Sequence, residues 1–187
     1  IFEFDQATAL QSKGNKVVFV SIDLRSIRRK RKLGNYRSTL NNIEIFNYSL
    51  PLGRLPEKVL YYFGKIAIDK IFRAILKKHG RPDILHAHFS RTGNIAAYLK
   101  GKYDFPLVIT EHSSHINKEI INQSIKGVAF KAYKSADAII TVSSALKEKL
   151  NSHFNINSLV VHNIVDIEIF KYKERSFKKD EFVFISI

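Results

Sequence analysis

Cysteine is absent from the chain. Disulfide frameworks and thiolate metal sites are therefore excluded, and a reducing compartment is permitted without being required. Methionine and tryptophan are absent as well. Because methionine is missing even from position 1, the chain is expected to be a piece of a longer product. Nowhere does an apolar run approach the roughly 18–20 residues that span a bilayer, so no transmembrane helix is expected. The opening FEFDQATAL does not have the pattern of a secretory signal. Acidic residues are few: 17 Asp and Glu stand against 31 Lys and Arg, a net charge of +14. That balance favours polyanions, whether nucleic acid, anionic lipid headgroups or phosphorylated substrates, and does not choose among them.

Familiar site motifs are missing too. No G-x-G-x-x-G and no G-x-x-x-x-G-K-[ST] occurs, so neither dinucleotide nor P-loop chemistry is supported. No G-x-S-x-G nucleophile elbow occurs. His86 and His88 make an H-x-H, but without cysteine or an H-E-x-x-H helix it lacks partners, and no metal is expected.

What is present suffices for one domain, since 45% of 187 residues are hydrophobic and that supports a real core. Phe4, Ala7, Leu10 and Gln11 fall at helical spacing, with Gly14 where a helix C-terminal cap belongs. Lys16–Ile22 reads as a buried strand. The chain thus opens on a helix, and a strand and loop before it are expected to be missing. Leu24–Tyr36 holds the densest charge, including Arg25, Arg28, Arg29, Lys30, Arg31 and Lys32. It reads as a solvated loop or frayed helix, as a contact for an anionic membrane, which suits clusters of four to eight basic residues, or as a nucleic-acid contact. The aromatic platform of a single-strand nucleic-acid binder is missing there.

Ile43–Tyr48 alternates like a strand, and Pro51, Gly53 and Pro56 punctuate the loop after it. Glu57–His79 is the longest helix candidate. Its apolar positions include Val59, Leu60, Phe63, Ile66, Ala67, Ile71, Ile75 and Leu76, while Tyr61, Tyr62, Ile68 and Phe72 widen the stripe. Such a helix packs on a core or lies in a membrane interface. Strands are expected at Ile84–Ala87, Leu107–Thr110, Ala138–Val142 and Leu159–Val161. Helices are expected at Thr92–Lys100 (closed by Gly101), over 117–134 with a break near Gly127, and at Ala145–Leu150 with Ser143 or Ser144 as cap. A charged linker, Lys171–Glu181, precedes a last apolar run, Phe182–Ile187. Strand and helix alternate throughout, which gives a doubly wound α/β domain.

In such sheets ligands gather beyond the carboxyl ends of the strands. His88, Phe89 and Ser90 end one strand; Glu111, His112 and Ser113 end the next. His86 and His88 share a face by the period of two. His86, inside its strand, reads as a satisfied core histidine, whereas His88 at the end is open to either role. His112 is the sharper candidate, since a neutral imidazole there can donate one hydrogen bond and change charge near pH 7. Glu111 tunes that imidazole or meets a lysine. Ser90-Arg91-Thr92-Gly93 opens a helix whose free N–H groups would receive an anion, with Arg91 adding charge.

The succession H-A-H-F at 86–89, T-E-H-S-S at 110–114, S-A-D-A-I-I-T-V-S at 135–143 and H-N-I-V-D…F at 162–170 resembles the N-terminal domain of retaining family-4 glycosyltransferases with the GT-B fold. Phe4-Asp5-Gln6-Ala7, with Gly14 and Val17, is similar to that family's first helix and second strand. The resemblance implies a Rossmann-like, acceptor-side domain over residues 1–170, with 171–187 leading into a second domain that binds the nucleotide sugar. It maps a catalytic role near the donor sugar and its phosphates onto His112. It maps acceptor-side contacts onto Phe89 and Ser113, with His88, Ser90, Arg91 and Glu111 as further substrate-binding candidates. Asn163 and Asp166 match the inter-domain segment.

Transfer with retention would need no cofactor beyond the nucleotide-diphosphate sugar itself. The acceptor would be a glycan or lipid-linked sugar, in capsule or exopolysaccharide synthesis, at the cytoplasmic face of a membrane. Arg25–Lys32 and the helix Glu57–His79 would touch that membrane. The glycine-rich loop and the paired glutamates of the second domain are absent, so this chain alone is expected not to catalyse transfer. The alternative is a non-catalytic basic α/β module that binds nucleic acid or anionic membrane; a sugar-binding relative without activity is a third reading.

Overall fold

The computed structural model describes residues 2–25 and 32–165. Most of the basic run (Arg28 to Arg31), Asp166, and the expected linker and final strand at 171–187 lie outside the described residues.

Twelve elements follow one another: α1 (Phe2–Ser12), β1 (Val18–Asp23), β2 (Gly34–Leu40), β3 (Ile43–Ser49), α2 (Glu57–His79), β4 (Leu85–His88), α3 (Phe89–Tyr103), β5 (Leu107–Glu111), α4 (Gln123–Ser135), β6 (Ala138–Thr141), α5 (Ser144–Phe154) and β7 (Leu159–Val160). Four strands pair in parallel in the order β4-β5-β6-β7. A second sheet has the order β1-β3-β2, with β1 parallel and β2 antiparallel to β3. The result is the α/β architecture with a parallel sheet that the alternation of elements predicts.

The antiparallel β2 departs from the expected loop. Its turn is Asn41-Asn42, with φ of 47° and 60°. Asparagine tolerates that left-handed backbone, and two such residues in sequence make the turn whose twist suits a hairpin. The third helix also runs further than expected. It passes through Gly101 and closes at Asp104, a left-handed cap whose N–H bonds to the Lys100 carbonyl. Likewise α4 runs unbroken through Gly127. Ser143 caps α5, accepting from the N–H of Leu146 at 3.2 Å.

Helix α2 joins the two sheets. Ile71 and Ile75 pack with Phe46 of β3 and the valines of β1. Phe72, one step round the helix, packs instead with Leu99 of α3 and Phe105. The buried stripe is therefore Leu60, Gly64, Ala67, Ile71 and Ile75, with Phe72 added and Ile66 left exposed. Under the parallel sheet, Leu107 and Ile109 of β5 are fully buried against Ala129 and Ala132 of α4 and Leu146 and Leu150 of α5. Each buried Leu or Ile among them stabilises the fold by about 1.5–3 kcal/mol. This core fixes β5, and β5 carries the site.

Candidate functional site

Strands β4 and β5 are parallel neighbours, with Leu85 opposite Leu107 and His88 opposite Thr110. Their carboxyl ends therefore finish side by side, and residues just beyond them meet. His88 Nδ1 lies 3.0 Å from His112 Nε2. The His88 ring stacks between His86, at 4.7 Å, and His112, at 5.3 Å. Phe89 tilts against His112 at 5.2 Å, and Phe2 of α1 stacks on it at 6.4 Å.

Burial drives the protonation states. It lowers His88 to about 3, helped by the neighbouring His86 and His112. Burial also lowers His112, although Glu3, Glu111 and the Asn163 side chain offset part of that. The expected charge change near pH 7 is thus moved downward, because a desolvated imidazolium is disfavoured. At neutral pH both rings are neutral, and a single proton lies between them. The other ring nitrogen of His112, Nδ1, is buried without a hydrogen-bond partner. His86 is exposed within the described residues, with Nε2 at 2.7 Å from Thr110 Oγ1, and burial lowers its pKa with help from His112.

Phe89, Ser90, Arg91, His112 and Ser113 line a cleft of about 430 Å³. Sequence reasoning missed Glu57, which lines the same cleft from the first turn of α2. It pairs with Arg91 at 2.8 Å and also with Arg25. No local pattern marks Glu57, because its partners come from elsewhere in the chain. Another hollow, of about 510 Å³, lies between α4 and the end of α5 and contains none of the expected residues. Among the described residues, no group of three or more His, Asp or Glu side chains is placed to hold a metal ion.

Glu111 is a correction to the expected substrate contacts. It is fully buried behind the cleft. One carboxylate oxygen accepts from the N–H groups of His112, at 3.0 Å, and Ser113, at 2.7 Å. The other accepts from the N–H of Ser90, at 3.0 Å, and the hydroxyl of Tyr133, at 2.5 Å. Burial pushes the Tyr133 phenol well above its ordinary range, so it stays protonated and donates. At the start of α3 the Ser90 N–H is consequently taken from inside the protein, while Arg91 and Thr92 line the cleft. His88 supplies no side-chain cap, and a carboxylate from β5 takes the Ser90 N–H instead. That internal charge satisfies the positive end of the helix dipole.

Comparison with known proteins agrees with this architecture. A family model described as Glycosyltransferase Family 4 matches residues 4–169. An uncharacterised glycosyltransferase of Methanocaldococcus jannaschii is 33% identical over 117 residues, covering 61% of this chain and 32% of the relative. The chain thus spans about a third of the curated relative's length. Among solved structures, sucrose-phosphate synthase from Thermosynechococcus elongatus superposes with a TM-score of 0.66 at 15% identity, over 87% of this chain and 42% of that one. A second structure of that synthase gives 0.59 at 16% identity, over 83% of this chain and 79% of that one.

Proposed function

The chain belongs to glycosyltransferase family 4, and on that premise we propose that it is the acceptor-side half of an enzyme transferring a sugar, with retention, from a nucleotide-diphosphate donor. The observation that carries this reading is the meeting of His88, Phe89 and His112 at the carboxyl ends of adjacent parallel strands, with Phe89 and His112 on the rim of a cleft that His88 backs through its contact with His112. Ligands gather at such rims in open α/β sheets.

In this reading His112 lies against the donor sugar and its phosphates. Nε2 would exchange its bond to His88 for one to the substrate. Phe89, Ser113 and Arg91 form the acceptor side. The departing diphosphate is stabilised by fixed hydrogen-bond donors and cations, which need no reorganisation as charge develops. The acceptor is a glycan or lipid-linked sugar of the capsule or exopolysaccharide kind, and a second domain supplies most of the nucleotide contacts. A membrane-facing role for α2 draws support from exposed Tyr62 and Ile66 beside Lys70 and Arg73. No helix among the described residues is long and apolar enough to cross a membrane.

The test is the full-length protein incubated with a panel of nucleotide sugars. Donor turnover is followed by nucleoside diphosphate release, and the product's anomeric configuration by NMR. Turnover of one donor with its configuration kept supports the proposal. Failure with every donor, together with tight and steeply salt-dependent binding to DNA, RNA or anionic vesicles, would favour a non-catalytic basic module.

A further inference from the structure

Among the described residues, five non-glycine residues have positive φ: Asn41, Asn42, Asp104, Asn155 and Phe89. Four are Asn or Asp, whose short polar side chains tolerate the left-handed region. Phe89, at φ 66°, is not of that kind. A bulky residue held there is strained, and such strain persists only where the surroundings impose it. Phe89 sits at the junction of β4 and α3 and stands on the cleft against His112.

The next residue shows what imposes the strain. The Ser90 N–H is held by Glu111, whose other oxygen holds the N–H groups of His112 and Ser113. One carboxylate thus fastens both strand ends, and Tyr133 reaches from α4 to orient it. A fully buried charge is costly unless donors surround it, and here four do. An apolar side chain would fill the same space. It could not tie the Phe89 turn to the His112 loop.

We infer that Glu111, oriented by Tyr133, is a positioning residue: it sets the spacing of Phe89 and His112 across the cleft and through it the rate of sugar transfer. This rests on the transferase reading above. Its separate content is that the two loops are registered by one internal carboxylate.

The experiment compares full-length wild type with Glu111→Gln, Tyr133→Phe and the double variant. It measures kcat, donor KM, melting temperature and amide hydrogen exchange. The expected result for Glu111→Gln is a kcat loss of more than about tenfold, because small misplacements near reacting atoms are costly. Donor KM should stay within about threefold, since binding contacts are kept. Exchange at Ser90, His112 and Ser113 should accelerate. Tyr133→Phe should show a smaller loss of the same kind, and the double variant should be no worse than Glu111→Gln alone, because Tyr133 acts through Glu111. A change confined to melting temperature or to KM, or additive losses in the double variant, would overturn the inference.

If Glu111→Gln does not fold, Tyr133→Phe decides alone, since it keeps the charge and three backbone bonds. Unchanged kcat in that variant overturns the inference. If wild type shows no transfer, the transferase reading fails, and the exchange rates still decide the clamp. Unchanged protection at Ser90 in either variant would refute it.

Discussion

The Nδ1 atom of His88 and the Nε2 atom of His112 lie 3.0 Å apart, although 24 positions separate them in the chain. Two neutral imidazoles at that distance hold one proton between them, and one ring is the donor while the other accepts. The pairing fixes both rings and turns their protonation into a property of the fold.

The first consequence concerns pH. His88 is held at about 3 in the folded protein, below the ordinary 6.5. Between those values the unfolded chain binds a proton that the folded one refuses, so stability is full above about 6.5 and falls as the solution is acidified. Urea unfolding between pH 6.5 and 5, above the range where most carboxylates titrate, should show a falling midpoint. Replacing His88 with Phe should flatten that slope. An equally steep slope in the variant would mean that other groups cause it.

His112 carries the chemical proposal. In the full-length enzyme, His112→Ala should reduce turnover by more than about tenfold, in the usual range for a positioned imidazole. Its melting temperature should change little, since the ring is only half-buried. Steady-state kinetics with the identified donor checks this, and undiminished turnover removes His112 from the reaction.

Asp69 tests the packing of α2 on α3. It is buried, and accepts from Lys102 at 2.7 Å, Tyr103 at 2.9 Å and Arg73 at 2.6 Å. Burial pushes its carboxyl up, but those three donors outweigh burial and hold it below the ordinary aspartate range. Its contribution is therefore present above that range and lost as pH falls through the lowered value. Asp69→Asn should cost about 1–3 kcal/mol at neutral pH, measured by chemical denaturation, because hydrogen bonds to a charged group are among the stronger ones. A neutral effect would show that solvent screens the cluster.

Gly93 sets how closely α3 lies on β5. A Cβ built there would come within 2.6 Å of Ile109 Cδ1 and 3.4 Å of the Ala132 Cβ. Ile109 is fully buried and has little room to turn away. Gly93→Val should lower stability by about 1–3 kcal/mol, the usual range for an overpacked core. The same shift moves the start of α3, so turnover should fall with it. An unchanged denaturation midpoint would show that Ile109 gives way.

Sequence alone determined the alternation of strands and helices, the helix Glu57–His79, and the bringing together of His88 and His112. Each follows from local rules: apolar runs make buried strands, a 3.6-residue stripe makes a helix, and consecutive parallel strands end at one edge. Only the tertiary structure decided that Phe72 is buried while Ile66 is exposed, that His86 meets the Thr110 hydroxyl, and that Glu111 faces inward. The Asn41-Asn42 hairpin and β2 went unread in the chain, as did the partners of Glu111. Ser90 and Tyr133 lie 21 and 22 positions away on either side. A carboxylate meets either water or four donors according to what distant elements bring to it, and no local pattern records that.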